Sequence, residues 1–268
     1  MNDEVSQAEI DAAEAYEALF VSALFEQWTA GVLEAARVGP GQRVLDVACG
    51  TGVLAREAAM LTKSMDSVAG LDPNAGMLAV AEGLAPRIDW RQGAAESLPF
   101  PDESFDSVVS QFGLMFFADR SRAVREMLRV VVPGGHLAIA VWDSLERTPG
   151  YACEVELLNR TAGRRAGDAL RAPFVLGDRM KLAELFEDAG VMSARIETRP
   201  GRARFPSIRS MVEADLRGWL PVMGVNLTEE KIDQVLQEAE KDLGSFVTAE
   251  GQVEFDAPAH IVSTVKRH

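Results

Sequence analysis

Apolar residues recur at three- and four-residue steps near the start of the chain: Tyr16, Leu19, Phe20, Leu24, Trp28 and Val32. That spacing lays them along one face of a helix. The stretch VGPGQ, Val38 to Gln42, ends it. Two kinds of segment then alternate. RVLDVA predicts a short buried strand and GVLAREAAMLT a helix. SVAGLD predicts a second strand ending at Asp72. Pro73 and Asn74 open the next helix, with Met77, Leu78 and Ala81 on its inner face. IDWRQG and FDSVVSQF predict strands three and four. RAVREMLRVV has helical period, with Val124, Met127, Leu128 and Val131 inward. PGG then turns the chain into a fifth strand, HLAIAVW.

Strands alternating with helices over residues 40 to 143 imply a parallel sheet covered on both faces. Beyond it, the long connection after Ser144 predicts one helix. Asp178 reads as an N-cap, with Leu182, Leu185 and Phe186 buried and Gly190 as the stop. SARIETRPGRARF reads as a strand. Helices follow near Ser207 to Trp219 and Thr228 to Leu243, and AHIVSTVKR is the last strand. The expected fold is α/β: a Rossmann-like, doubly wound, mostly parallel seven-stranded sheet with an antiparallel last strand and helical insertions forming a cap. Residues 1–37 form an N-terminal helical cap. Residues 38–268 form the main domain, with insertions at 145–177 and 206–250 over the carboxyl edge, where open α/β sheets bind ligands.

The chain has 268 residues, 47% of them hydrophobic, enough for a full core. A formal net charge of -14 argues against nucleic acid as a partner. The acidic start MNDEVSQAEI is no secretory signal, and no run approaches the ~20 apolar residues of a membrane span. Cys49 and Cys153 form neither a disulfide framework nor a zinc spacing. The expectation is a cytoplasmic protein with no metal.

VLDVACGTG, Val44 to Gly52, admits two readings. Gly50-Thr51-Gly52-Val53-Leu54-Ala55 fits the G-x-G-x-x-A turn of dinucleotide enzymes. Asp46, inside the strand just before the turn, argues otherwise. A carboxylate at the pocket edge suits a cationic ligand better than a pyrophosphate. S-adenosylmethionine carries a sulfonium and an ammonium. Asp72 would grip ribose hydroxyls in either case, or cap a helix.

VLDVACGTG, GLDPNAGML, GAAESLPFPDESFDSVVSQFGLMFF, REMLRVVVPGGHLAIAVW and LAELFEDAG occur in that order. Together they resemble class I S-adenosylmethionine-dependent methyltransferases, the branch that includes the ubiquinone/menaquinone-biosynthesis enzymes. The resemblance implies S-adenosyl-L-methionine as cofactor and S-adenosyl-L-homocysteine as product. It places Asp46, Ala48 and Gly50 at the methionine end, with Gly52 closing the turn and Cys49 packed beneath as a small residue. It gives Asp72 to the ribose, and Pro73 and Met77 to the adenine. Many relatives read GDAE where this chain has Gly93-Ala94-Ala95-Glu96. The common aspartate side chain is missing, and Ala95 offers only its backbone to the adenine. Gln111 faces the methionine part and the methyl acceptor. Tyr16 and Trp28 are expected over the cofactor, because the N-terminal helix covers it in similar enzymes.

Methyl transfer is an in-line displacement that mainly needs alignment, so no fixed base is implied. His136 lies away from the carboxyl edge, and His268 is terminal. His260 is the weak catalytic candidate, equally readable as an edge residue. Phe112, Met115, Phe116, Trp142, Phe174 and Trp219 are expected around an apolar pocket for a small, flat or hydrophobic acceptor. Arg164, Arg165 and Arg171 read as a solvated face or as a steering patch. Two rivals remain open: an NAD(P)-dependent oxidoreductase, and a cofactor-binding relative without turnover.

Overall fold

A computed structural model describes residues 5–267; His268 and the first four residues of the acidic start lie outside them. The chain begins with α1 (Gln7–Tyr16), capped by a reciprocal Ser6–Glu9 pair. It continues into a π-helical stretch, Glu17–Phe25, and then α2 (Glu26–Ala35). The sequence spacing predicts a regular helix here. The wide turns insert extra residues between Tyr16 and Trp28, so Phe20, Val21, Ala23 and Leu24 are all buried.

The helix-strand alternation then follows the hydrophobic pattern. β1 (Val44–Val47), β2 (Val68–Asp72), β3 (Asp89–Gln92), β4 (Phe105–Gln111) and β5 (Val131–Trp142) run parallel. α3 (Val53–Thr62), α4 (Ala75–Leu84) and α5 (Arg120–Val130) connect them. β5 starts earlier than the PGG turn predicts: pairing reaches back to Val131, across a register shift between Phe105 and Ser107.

The connection after β5 holds two helices rather than the expected one, α6 (Pro149–Thr161) and α7 (Arg164–Arg171), split at Gly163 with φ 91. α8 (Arg179–Asp188) begins at the Asp178 cap. SARIETRPGRARF is two strands, not one. β6 (Arg195–Arg199) joins the main sheet, whereas β7 (Arg202–Phe205) breaks away after Pro200-Gly201. α9 (Ile208–Glu213), a second π-helical stretch Ala214–Trp219, α10 (Leu220–Val222) and α11 (Glu229–Asp242) follow. β8 (Val253–Asp256) pairs with β7 in a small antiparallel sheet, and β9 (Ala259–Val265) closes the chain.

The main sheet has seven strands in the order β3-β2-β1-β4-β5-β9-β6, with β9 antiparallel to both neighbours. This is the Rossmann-like doubly wound arrangement. Strand order reverses between β1 and β4, where such sheets bind ligands at their carboxyl ends. Val44, Leu45, Val47, Val108, Val109 and Ile139 are wholly buried, as central strands covered on both faces require. Asp46 breaks that apolar run, at the reversal.

Candidate functional site

The turn after β1 coils tightly because Ala48, Gly50 and Gly52 all take positive φ, at 59, 54 and 85. Asp72 holds it from the end of β2. Its Oδ2 accepts the Gly50 amide at 2.9 Å and its Oδ1 the Asn74 amide at 2.9 Å. Burial pushes the Asp72 carboxyl above the usual carboxylate range, with those two amides opposing. Trp90 forms the floor, a residue that the sequence pattern did not single out. Its ring lies across β2 at Gly70, where an added Cβ would meet it at 2.3 Å, and reaches Gly52, where one would meet it at 2.4 Å. Its Nε1 donates to the Ala85 carbonyl at 2.9 Å, which fixes the ring.

Above this turn a small cavity is lined by Tyr16, Phe25, Asp46, Cys49, Gly50 and Gln111, with Ala48 beside them. Asp46 is 1% exposed, and neither carboxylate oxygen has a hydrogen-bond partner among the described residues. Burial pushes its carboxyl well above the usual range; the backbone at Ala55 opposes this and the Asp72 charge adds to it. Gln111 donates Nε2 to the Phe25 carbonyl at 3.1 Å, while its buried Oε1 is also unpartnered. These orphaned acceptors cost stability unless a donor or cation meets them. An ammonium-bearing ligand such as S-adenosylmethionine fits this set. A pyrophosphate does not. Burial pushes the Cys49 thiol well up, with Asp46 and Asp72 reinforcing it, which disfavours the nucleophilic thiolate.

The helical cap is tied to the turn. Glu17 accepts from the Thr51 hydroxyl and pairs with Arg56 at 2.6 Å; Arg56 also donates to the Thr51 carbonyl at 2.6 Å. This half-buried lock holds Tyr16 over Gly50. Glu17→Ala removes both the Thr51 and the Arg56 contacts, together worth about 1.5 kcal/mol net at this half-buried position, so amides of residues 7–25 should exchange about tenfold faster. Hydrogen-exchange mass spectrometry reads this directly; unchanged protection would show that the apolar face alone seats the cap.

Tyr16 and Phe25, with ring centroids 5.4 Å apart, also line a second, more apolar cavity. Phe112, Phe116, Trp142, Phe174 and Trp219 stand around it. Phe112 and Trp142 stack at 3.8 Å with planes 7° apart. Phe112 holds φ 58, a left-handed backbone that an aromatic residue seldom adopts, at the carboxyl end of β4. Thr148 and Asp215 are polar members of the wall.

Several other expected site residues line neither of these two cavities. Met115 is buried away from the cavity, and its carbonyl accepts from Arg120. Trp28 packs behind the wall, edge-on to Phe112 and Trp142, and lines neither cavity. Glu96 turns from the glycine turn to accept the Ala118 and Asp119 amides at 2.8 and 3.3 Å. Ala94 and Ala95 adjoin it without lining a cavity, with Ala95 buried. Pro73 and Met77 sit at the start of α4, where Gln92 binds the Pro73 carbonyl and Asn74 caps Met77. His260 is buried with both ring nitrogens engaged: Nδ1 with Thr198 Oγ1 at 2.8 Å and Nε2 with the Gly177 carbonyl at 2.9 Å. It lines neither cavity and ties β9 to β6. Arg164 and Arg171 flank an open surface groove, and Arg165 donates to the Gly224 carbonyl. Among the described residues no cluster of metal-ligating side chains occurs, and no helix is long and apolar enough to cross a membrane.

The methyltransferase domain family matches residues 45–139. A demethylmenaquinone methyltransferase from Renibacterium salmoninarum is 42% identical over 134 residues, which is 50% of this chain and 55% of that protein. The ubiquinone/menaquinone biosynthesis C-methyltransferase UbiE of Geobacter sulfurreducens is 40% identical over 119 residues, 42% of this chain and 46% of that protein. The chain thus spans about half the length of the curated relatives it matches. A phosphoethanolamine N-methyltransferase 2 from Haemonchus contortus, solved with S-adenosyl-L-methionine, superposes with TM-score 0.60 at 19% identity. That match covers 97% of this chain and 57% of that one, and it speaks for the fold alone.

Proposed function

We propose, from the match of residues 45–139 to the methyltransferase domain family, that the protein transfers a methyl group from S-adenosylmethionine to a small, largely apolar or aromatic molecule. The observation that carries this reading is Asp46: a fully buried carboxylate with no partner, at the β1/β4 reversal, in a cavity bounded by a glycine turn. When bound, the cofactor supplies a methyl group activated on a sulfonium. Asp46 and the Gln111 oxygen would hold its ammonium end, Asp72 its ribose, and the Gly50–Gly52 turn its backbone-hugging face.

The chain's own contribution is alignment and exclusion of water. Tyr16, Phe25, Phe112 and Trp142 line the space beyond the methionine end with aromatic rings. A flat acceptor slides between such rings with little loss of rotamer freedom. Quinones are the acceptors named for the relatives, and their ring matches such a slot. Two additional expectations belong to the same reading: the protein works in the cytoplasm and takes no nucleic acid.

Isothermal titration with S-adenosylmethionine, S-adenosylhomocysteine, NADH and NADPH tests this. The first two should bind with micromolar affinity and the nicotinamides not at all. Asp72→Ala should weaken the first two by about a hundredfold, because it removes a charged acceptor and loosens the Gly50 turn. Preferential binding of NADH or NADPH would overturn the reading.

A further inference from the structure

Asp215, on the second π-helical stretch, faces the aromatic cavity, and Glu154 on α6 stands behind it. Glu154 is 0% and Asp215 2% exposed. The two carboxyls are near enough for each to act on the other's ionisation. Among the described residues no donor reaches Glu154 Oε1, Glu154 Oε2 or Asp215 Oδ2. A buried acid pair without a counter-charge is expensive, and an apolar pair of similar size would serve packing better. The sheet makes no use of the pair, which sits wholly in the inserted helices.

Its surroundings indicate what it fits. Among the described residues no arginine, lysine or histidine lines the cavity. The walls are rings: Tyr16, Phe25, Trp142, Tyr151, Phe174 and Trp219. Ring faces carry the negative side of the aromatic quadrupole and attract cations. An anionic guest would find no cationic side chain in the cavity to neutralise it. A neutral hydroxyl would satisfy one oxygen and leave the ring faces unused. We propose that the methyl acceptor carries a basic nitrogen, and that the Glu154–Asp215 pair and the surrounding rings form the subsite that holds it as an ammonium. This deepens the methyltransferase reading and rests on it. The family match ends at residue 139, before both members of the pair.

The titratable neighbours are Tyr151 and Cys153 on α6, both pushed up by burial and, less strongly, by the acids around them. Burial holds Glu154 at about 8 and Asp215 well above its usual range, so the empty pair keeps its protons at neutral pH. An incoming ammonium favours the ionised form, and about one proton should leave for each amine bound.

The test is calorimetry at neutral pH with phenethylamine and phenethyl alcohol, on protein saturated with S-adenosylhomocysteine so that Asp46 is already engaged. The amine should bind at least about tenfold tighter than the alcohol. Its heat should differ between buffers of different ionisation enthalpy, which reports the released proton. Asp215→Asn and Glu154→Gln should each erase the preference and the proton release, while S-adenosylhomocysteine affinity stays within about twofold. Using both variants guards against one that fails to fold. Equal binding of the alcohol, an amine preference surviving in both variants, or no binding of either probe would overturn the subsite. Failure of the wild-type protein to bind S-adenosylhomocysteine would instead bring down the methyltransferase reading.

Discussion

Gly52→Val should abolish measurable S-adenosylhomocysteine binding and lower the melting temperature by about 5–10 °C. Gly52 sits at φ 85, where a β-branched residue costs about 1–2 kcal/mol. The added carbons would also strike Trp90, whose nearest ring atom stands 2.4 Å from the new Cβ. Trp90 has nowhere to retreat, because Nε1 is bonded to Ala85 and its ring crosses Gly70. Overpacking of this kind costs about 1–3 kcal/mol more. The damage falls on the turn itself: Gly52 donates its amide to the Cys49 carbonyl at 2.8 Å and accepts the Arg56 amide at 2.8 Å at the start of α3. Thermal melts and titrations on the variant check both effects. Binding retained within about threefold would show that the floor yields and that Trp90 is not fixed.

Stability of the wild-type protein without ligand should fall as pH rises from about 5 to about 8, and Glu154→Gln should flatten that fall. Burial raises Glu154 from the ordinary carboxylate range to about 8 in the folded protein. Below the unfolded value both states hold the proton, and the contribution is fully present. Above it the unfolded chain releases the proton while the folded chain keeps it. Stability therefore drops by up to about 1.4 kcal/mol per pH unit and levels off beyond the folded value. Asp215 and Asp46, also raised by burial, act in the same direction, so the variant flattens the curve without removing its slope. Denaturant unfolding of both proteins across this range gives the comparison. Parallel curves would mean that Glu154 ionises freely in the folded state.

The sheet and the cavity over the glycine turn were legible in the sequence because both depend on local signals. Asp46, Gly50, Gly52 and Asp72 lie at strand ends that the apolar runs announce, and glycine spacing marks the turn. The helix caps at Asn74, Asp119, Asp178 and Thr228 likewise follow from the residues themselves. What escaped depends on distance in the chain. Glu154 and Asp215 belong to separate insertions, and each alone reads as a polar residue of an amphipathic helix. Trp90 reads as one residue of a short strand; only Gly70 beside it on β2 reveals that its ring crosses a neighbour. The π-helical stretch at Glu17–Phe25 leaves the three- and four-residue spacing largely intact, so the extra residues do not show. The split of SARIETRPGRARF was signalled by Pro200-Gly201, where a proline cannot continue a paired strand. His260 and Glu96, read from the sequence as candidate site residues, make hydrogen bonds that join loops and strands.

Tyr16 and Phe25 face both cavities and ride on one helical rod. In the proposed function, cofactor and acceptor would therefore not be independent guests. Whichever bound first would set the rod against the shared partition and pass the free energy of that placement to the second. Thermodynamic reciprocity then requires each ligand to change the other's affinity by the same factor. A single side-chain partition thus makes the two sites a linked pair, and the order of addition becomes a matter of rates.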